Sequence, residues 1–189
     1  MRFVVAVVAA SVVAVGCSQS PLAPDRATAA ASIGTLAISA SAPVKTQTAD
    51  VLSSADGTTV YGSARLVRND AGITVDVNTA HLVPGDVYTL WWIVEQPSGE
   101  IVTNAAGGIV DQKGRAHFGG HLSVGPLPAD PDVTLEGSVF DSAFADVILI
   151  VHHHGPKVPG IVGKMLATFE TGCTGGCVDD PQFAFFPAP

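Results

Sequence analysis

The stretch Ile73-Thr74-Val75-Asp76-Val77-Asn78 decides the fold class of this chain. Its apolar residues alternate with polar ones, and successive side chains in a strand point to opposite faces. This period of two predicts an antiparallel strand with one buried and one solvated face. The turn signal Asn69-Asp70-Ala71-Gly72 precedes it, and the β-prone segment Thr58–Val67 precedes the turn. Together they predict a β-hairpin.

Similar segments recur toward the C-terminus. Tyr88–Val94 is aromatic and aliphatic enough to predict a central strand. Turns rich in Gly, Pro and Asp separate further predicted strands at Ile101–Val110, Arg115–Val124 and Asp146–His153, with short edge strands at Met165–Phe169 and Gln182–Phe186. The prediction is an all-β protein, an antiparallel Greek-key-like sandwich of about seven to nine strands.

Composition narrows the classes of function. The chain has 189 residues, with 9 Lys and Arg, 17 Asp and Glu, and a formal net charge of −8. The acidic balance and the lack of a Lys/Arg cluster argue against nucleic acid as a partner. The sequence contains no Gly-x-Ser-x-Gly nucleophile motif, P-loop or Gly-x-Gly-x-x-Gly motif, so it indicates no catalytic or phosphate-binding set.

The N-terminus has the features of an export signal. Arg2 precedes the apolar run Phe3–Val15, which is 13 residues long, whereas a membrane-spanning helix needs about 17 or more. A short apolar core behind a positive charge is typical of a secretory signal peptide. The run ends in Ala14-Val15-Gly16-Cys17, which resembles a bacterial lipobox. An ordinary signal peptide with a cysteine at this place is the alternative.

The lipobox resemblance implies a diacylglyceryl thioether and an N-acyl group on Cys17. Several acyl chains on one residue would hold the protein on a membrane, because each buried CH₂ contributes about 0.8 kcal/mol. Ser18, directly after the cysteine, resembles the sorting signal for the outer membrane of a bacterium with two membranes. The expected location is therefore exported and lipid-anchored, at the outer membrane, in the periplasm or at the cell surface.

Three parts of the chain are predicted. Residues 1–16 form the lipoprotein signal peptide. Residues 17–44 comprise the lipidated cysteine and a flexible tether rich in Ala, Ser and Pro, in which Leu36 and Ile38 indicate a short edge strand. Residues 45–189 form the β-sandwich domain, which is long enough to bury a real core.

Histidine is the first candidate for chemistry, and six are present: His81, His117, His121, His152, His153 and His154. His152 and His154 share one face of a predicted strand. If the strands are neighbours, His117 or His121 could complete a three-His site suited to Zn²⁺ or Cu²⁺, with His81 as a further candidate ligand. The alternative is that the run forms only a solvated turn at the end of the strand.

Cys173 and Cys177 remain once Cys17 is lipidated. An exported protein meets an oxidising compartment, so a disulfide between these two cysteines is expected. The loop is small, and its closure stabilises the fold by only about 2 kcal/mol. A redox or metal-binding pair is the alternative, although Cys-x-x-x-Cys differs from the usual Cys-x-x-Cys redox spacing.

Short segments resemble known families. The turn Leu82-Val83-Pro84-Gly85 with its aromatic-rich strand resembles a hairpin of superoxide-dismutase-like Greek-key sandwiches. His152–Pro156 is similar to the His-x-His-Gly-Pro stretch of CHRD-type domains, although that stretch lies early in those domains. The Thr89–Trp92 strand and the C-terminal cysteine pair resemble a group of uncharacterised secreted bacterial proteins, which implies fold and compartment only. Dismutase activity is disfavoured because non-histidine residues stand where ligands would be sought: Val87, Thr89 and Trp91.

These observations favour a membrane-anchored cell-envelope lipoprotein with a non-catalytic β-sandwich that serves as a structural or binding domain. A His-based copper- or zinc-binding envelope protein is the first alternative. A dismutase-like enzyme is the second, and it rests on fold analogy alone. The expected partner is the membrane, through the lipid anchor.

Overall fold

A computed structural model describes residues 44–130, 132, 134–136, 145–172 and 180–189. Over these residues strands are the main element and the one helix is four residues long, which confirms the all-β prediction. In chain order the elements are β1 Lys45–Ser53, β2 Val60–Asn69, β3 Gly72–Thr79, β4 Asp86–Gln96, β5 Gly99–Ile109, β6 Ala116–Ser123, β7 Gly125–Pro126, β8 Thr134–Leu135, β9 Asp146–Pro156, helix α1 Val162–Met165 and β10 Gln182–Phe186.

Eight strands form one antiparallel sheet in the order β5-β4-β9-β10-β1-β2-β3-β6, and β7 pairs with β8 separately. The two edge strands of the large sheet lie against each other. A Cβ atom on Gly120 of β6 would stand 2.8 Å from the carbonyl oxygen of Ala105 in β5. The sheet is therefore rolled around its core, with its two edge strands against each other. β9 returns from β6 to lie beside β4, which is a Greek-key connection.

The predicted hairpin is confirmed. β2 pairs with β3 across the Asn69–Gly72 turn, with Leu66 opposite Val75. Ile73, Val75 and Val77 are buried in the core, while the polar residues between them are exposed. The alternating pattern thus marks the side of β3 that faces the core.

The prediction of a central strand at Tyr88–Val94 is also confirmed. β4 lies between β5 and β9, and its Trp92 is fully buried. Trp91 lies on the opposite face, where its ring meets Phe169 edge-on with the ring centroids 5.1 Å apart. Adjacent tryptophans of one strand are thus buried to different extents on its two sides.

Two predictions near the C-terminus are wrong in part. Gln182–Phe186 forms β10, but it lies inside the sheet between β9 and β1 rather than at an edge. Met165–Phe169 forms no strand, because α1 ends at Met165 and the chain then turns. β1 is a strand that the sequence pattern missed, since most of its first half is polar and only partly buried. The predicted strand at Leu36 and Ile38 lies outside the described residues.

The β1–β2 turn is held by one carboxylate. Asp56 accepts hydrogen bonds from the Thr59 hydroxyl and from the backbone amides of Thr58 and Thr59. These bonds, with the Thr59 hydroxyl first, favour the charged carboxylate and lower the pKa of Asp56 to about 2. The turn borders the cleft described below.

No helix in the described ranges is long and apolar enough to cross a membrane.

Candidate functional site

The histidine run lies at the end of β9, where the strand changes its alternation. Val147, Leu149 and Val151 face the core, and His153 continues on that side with its ring stacked on Tyr88 at 4.4 Å. Val87 pairs with Gly155 and Tyr88 with His153, so His154 is the extra residue of a β-bulge. Bulges re-aim side chains at such positions.

His152 and His154 are buried on the outer face of β9. Their exposed fractions are 0% and 1%, and their ring centroids are 4.8 Å apart with the rings nearly perpendicular. Backbone carbonyls from the segment after α1, those of Phe169 and Thr171, reach both rings. The run is therefore an enclosed cluster rather than a solvated turn.

Both nitrogens of the His152 ring lie within hydrogen-bond distance of an oxygen atom. Nδ1 lies 2.5 Å from a carboxylate oxygen of Asp180, and Nε2 lies 3.0 Å from the carbonyl oxygen of Phe169. Both partners are oxygen acceptors, and both ring nitrogens are therefore occupied by protein groups. The His152 ring also stacks on the Phe169 ring with a centroid distance of 3.9 Å.

His154 takes part in a chain of directed hydrogen bonds. Trp91 Nε1 donates to Thr89 Oγ1 at 2.8 Å, and the Thr89 hydroxyl oxygen lies 2.8 Å from His154 Nε2. His154 Nδ1 donates to the carbonyl oxygen of Thr171 at 2.9 Å. The Thr89 hydroxyl can donate to Nε2 only when the His154 ring is neutral. Burial lowers the pKa of His154, the nearby His152 and His153 act in the same direction, and the Thr171 hydrogen bond opposes them.

The other histidines have separate surroundings. His117 Nδ1 lies 3.1 Å from the side-chain oxygen of Asn78, and His121 Nδ1 lies 2.8 Å from the Thr74 hydroxyl. Both belong to β6, which β10, β1, β2 and β3 separate from β9 in the sheet order. His153 Nε2 lies 2.8 Å from a carboxylate oxygen of Asp86. His81 stacks on Tyr61 in the β3–β4 connection.

The structure therefore brings His152 and His154 together but does not bring His117 or His121 to them, because the sheet order keeps the two strands apart. In the described part of the chain, no group of three or more His, Cys, Asp or Glu residues is placed to hold a metal ion. Cys17, Cys173 and Cys177 lie outside the described residues, so lipidation and the disulfide stay predictions.

A polar cleft opens beside the cluster, and sequence reasoning missed it. Its volume is about 490 Å³, and Tyr61, His81 and Asp180 are among the residues that line it. Asp180 joins the cleft to the buried cluster through its bond to His152. These residues lie far apart in the sequence, and no motif spacing connects them.

We expect the stability of the fold to decrease below about pH 6.5. Because burial lowers the pKa of His154 below its ordinary 6.5, the unfolded chain binds a proton here at a pH where the folded chain does not. This contribution is fully present above 6.5 and is lost as the pH falls toward the folded-state pKa. Urea unfolding between about pH 8 and pH 5 measures it.

The matched variants are His154→Gln and His121→Gln. His154→Gln removes the buried imidazole, so the free energy of unfolding should fall less steeply as the pH is lowered. His121→Gln changes an exposed ring and should leave that pH dependence unchanged. The titratable neighbours His152, His153 and Asp180 are common to both proteins. An unchanged slope in His154→Gln would contradict the assignment.

No protein-family model matches this chain, and no curated protein matches it.

Proposed function

We propose that the protein is a lipid-anchored protein of the cell envelope whose β-sandwich is a non-catalytic binding domain. The observation that carries this proposal is the Ala14-Val15-Gly16-Cys17 motif directly after a short apolar run behind Arg2. The Ala-, Ser- and Pro-rich stretch between Cys17 and β1 supports it, since such a segment suits a tether between an anchor and a folded domain.

The hydrogen-bonding state of the buried imidazoles supports a non-catalytic role. His152 and His154 each use both ring nitrogens on protein partners, so neither ring offers a proton or a lone pair to a substrate without breaking a bond. Among the described residues, no buried side-chain nitrogen or oxygen lacks a hydrogen-bond partner. Such a fully bonded network is typical of a polar group that stabilises and specifies a fold.

The two alternatives have weaker support. A copper or zinc site at His152 and His154 would need a third ligand, and His117 and His121 lie on a distant strand. A dismutase-like site would need histidines on β4, where Thr89 instead forms a hydrogen bond with His154. The concave, polar cleft at Asp180 favours binding over a purely structural role.

We expect Cys17→Ala to abolish membrane attachment. Wild-type protein, expressed in a bacterium with two membranes, should incorporate an alkyne-labelled fatty acid and sediment with membranes, because the Cys17 sulfur carries the diacylglyceryl group and the Cys17 amine carries the N-acyl group. Cys17→Ala should carry no label and leave the membrane pellet. In-gel detection of the label, with immunoblots of membrane and soluble fractions, measures both effects.

Cys173→Ala is the matched control, because it makes the same substitution at a cysteine without the lipobox. It should keep the label and the membrane location. Label that persists on Cys17→Ala, or wild-type protein that carries none, would refute the anchor.

A further inference from the structure

The cleft beside the histidine cluster is built from four parts of the fold. Ser53 ends β1, Tyr61 lies near the start of β2, His81 belongs to the β3–β4 connection, and Asp180 precedes β10. The volume of about 490 Å³ is in the range of small-molecule sites. A hydrogen bond holds two of its walls together: the fully buried Gln182 donates to the carbonyl oxygen of Ala80 at 2.7 Å.

The Asp180 carboxylate is fixed in position and still reachable. One oxygen accepts the bond from His152, whose ring is fully buried and held at its other nitrogen by the Phe169 carbonyl. The side chain of Asp180 is 37% exposed. Its second oxygen has no hydrogen-bond partner among the described residues. The Asp180 carboxylate can therefore accept a charge-assisted hydrogen bond from a ligand. Its orientation is already fixed before the ligand binds.

An aromatic surface stands in the same cleft. The rings of Tyr61 and His81 are stacked with their centroids 4.8 Å apart and a tilt of 32°. His81 has a left-handed backbone with a φ of 65°. Hydrogen bonds of its neighbours hold it there, from Ala80 to the Tyr61 carbonyl and from Leu82 to the Gly114 carbonyl, each 3.0 Å long. A non-glycine residue held in this region has an energetic cost that the surrounding structure must offset.

The charge of the cleft favours cations. The described residues that line it include one carboxylate and no Lys or Arg, and the whole chain has a net charge of −8. A carboxylate beside a tyrosine ring is a combination that attracts ammonium and guanidinium groups, through a charge-assisted hydrogen bond and a cation–π contact.

We propose that this cleft binds a small organic cation, a primary amine or a guanidinium compound. The cationic group donates to the second oxygen of Asp180 and lies against the Tyr61 ring, while the rest of the ligand fills the cleft beside His81 and Ser53. This inference rests on the binding role proposed above and names its ligand class.

Titration calorimetry on the full chain, purified in a mild detergent, tests the proposal. Putrescine and agmatine are the probes, and 1,4-butanediol is the neutral probe with the same carbon chain as putrescine. Both cations should bind and the diol should not. Asp180→Asn removes the charge but keeps an acceptor for His152, and it should weaken binding of both cations by about tenfold or more.

Two further variants separate the site from general charge. Glu100→Gln removes one negative charge from an exposed position on β5 and should change the affinity by less than about twofold. Tyr61→Leu removes the aromatic face while Asp180 stays, and it should weaken binding by about fivefold. Tyr61→Leu also tests cation binding in the cleft if Asp180→Asn does not fold and therefore fails to melt cooperatively.

Three results would overturn the proposal: equal binding of diol and putrescine, no heat from either cation up to about 10 mM, or equal weakening by Glu100→Gln and Asp180→Asn. Failure of the anchor is distinguishable from failure of the cleft. Acyl labelling of Cys17 reports the first and calorimetry the second, and neither measurement depends on the other.

Discussion

Trp92→Ala should lower the free energy of unfolding by about 3–5 kcal/mol. Trp92 is fully buried at the middle of β4, between Thr103 of β5 and Leu149 of β9. Its removal from the centre of a rolled sheet leaves a cavity that strands paired on both sides cannot close without moving. Equilibrium unfolding in guanidinium chloride, followed by circular dichroism, measures the loss.

Val102→Ala is the control for Trp92→Ala, because it shortens a side chain on the neighbouring β5 that is 53% exposed. It should change the stability by less than about 0.5 kcal/mol. Trp92→Phe keeps most of the apolar volume and should cost clearly less than Trp92→Ala. A loss below about 1 kcal/mol for Trp92→Ala would mean that the core collapses into the space.

Arg68→Met should cost about 3 kcal/mol or more. The Arg68 side chain is fully buried. Its guanidinium donates to the Gln47 side chain and to the Ala145 carbonyl, each at 2.8 Å, and to the Pro187 carbonyl at 3.3 Å. Burial lowers the pKa of Arg68, and the charge of Asp146 opposes that effect. Methionine fills similar space but leaves acceptors unsatisfied and Asp146 without its cation.

Arg65→Met on the exposed face of the same strand β2 is the matched control and should be nearly neutral. Arg68→Lys keeps the charge but loses the planar fork, so its stability should lie between wild type and Arg68→Met. Urea unfolding at neutral pH compares all four proteins. If Arg68→Met and Arg65→Met cost the same, Arg68 does not join β2 to β9 and the C-terminal segment energetically.

The local sequence pattern was sufficient to predict most of the strands. The β2–β3 hairpin and the central strand β4 were predicted correctly, because alternation and β-branched runs depend only on neighbours in the chain. β1 was missed because the residues Lys45–Asp50 are mostly polar. β10 was assigned to an edge because nothing within Gln182–Phe186 shows that β9 and β1 flank it.

At the candidate site, too, the local sequence predicts one part of the arrangement and the strand order decides the rest. The run His152-His153-His154 is visible in the sequence, and so is the shared face of its first and third residues. Whether His117 or His121 could join them depends on strand order, which the Greek-key connections set and no local pattern encodes. The bulge at His154 and the carbonyls of Phe169 and Thr171 decide that these rings are buried and bonded.

The amino-acid sequence alone is enough to predict the all-β class and most of the strands, because each is carried by adjacent residues. Only the tertiary structure decides that Arg68 is buried, that the histidines of β6 and β9 lie apart, and that Asp180 meets Tyr61 and His81 in one cleft. Those arrangements arise where distant segments pack around a rolled sheet, and long-range packing leaves no periodic trace in the chain.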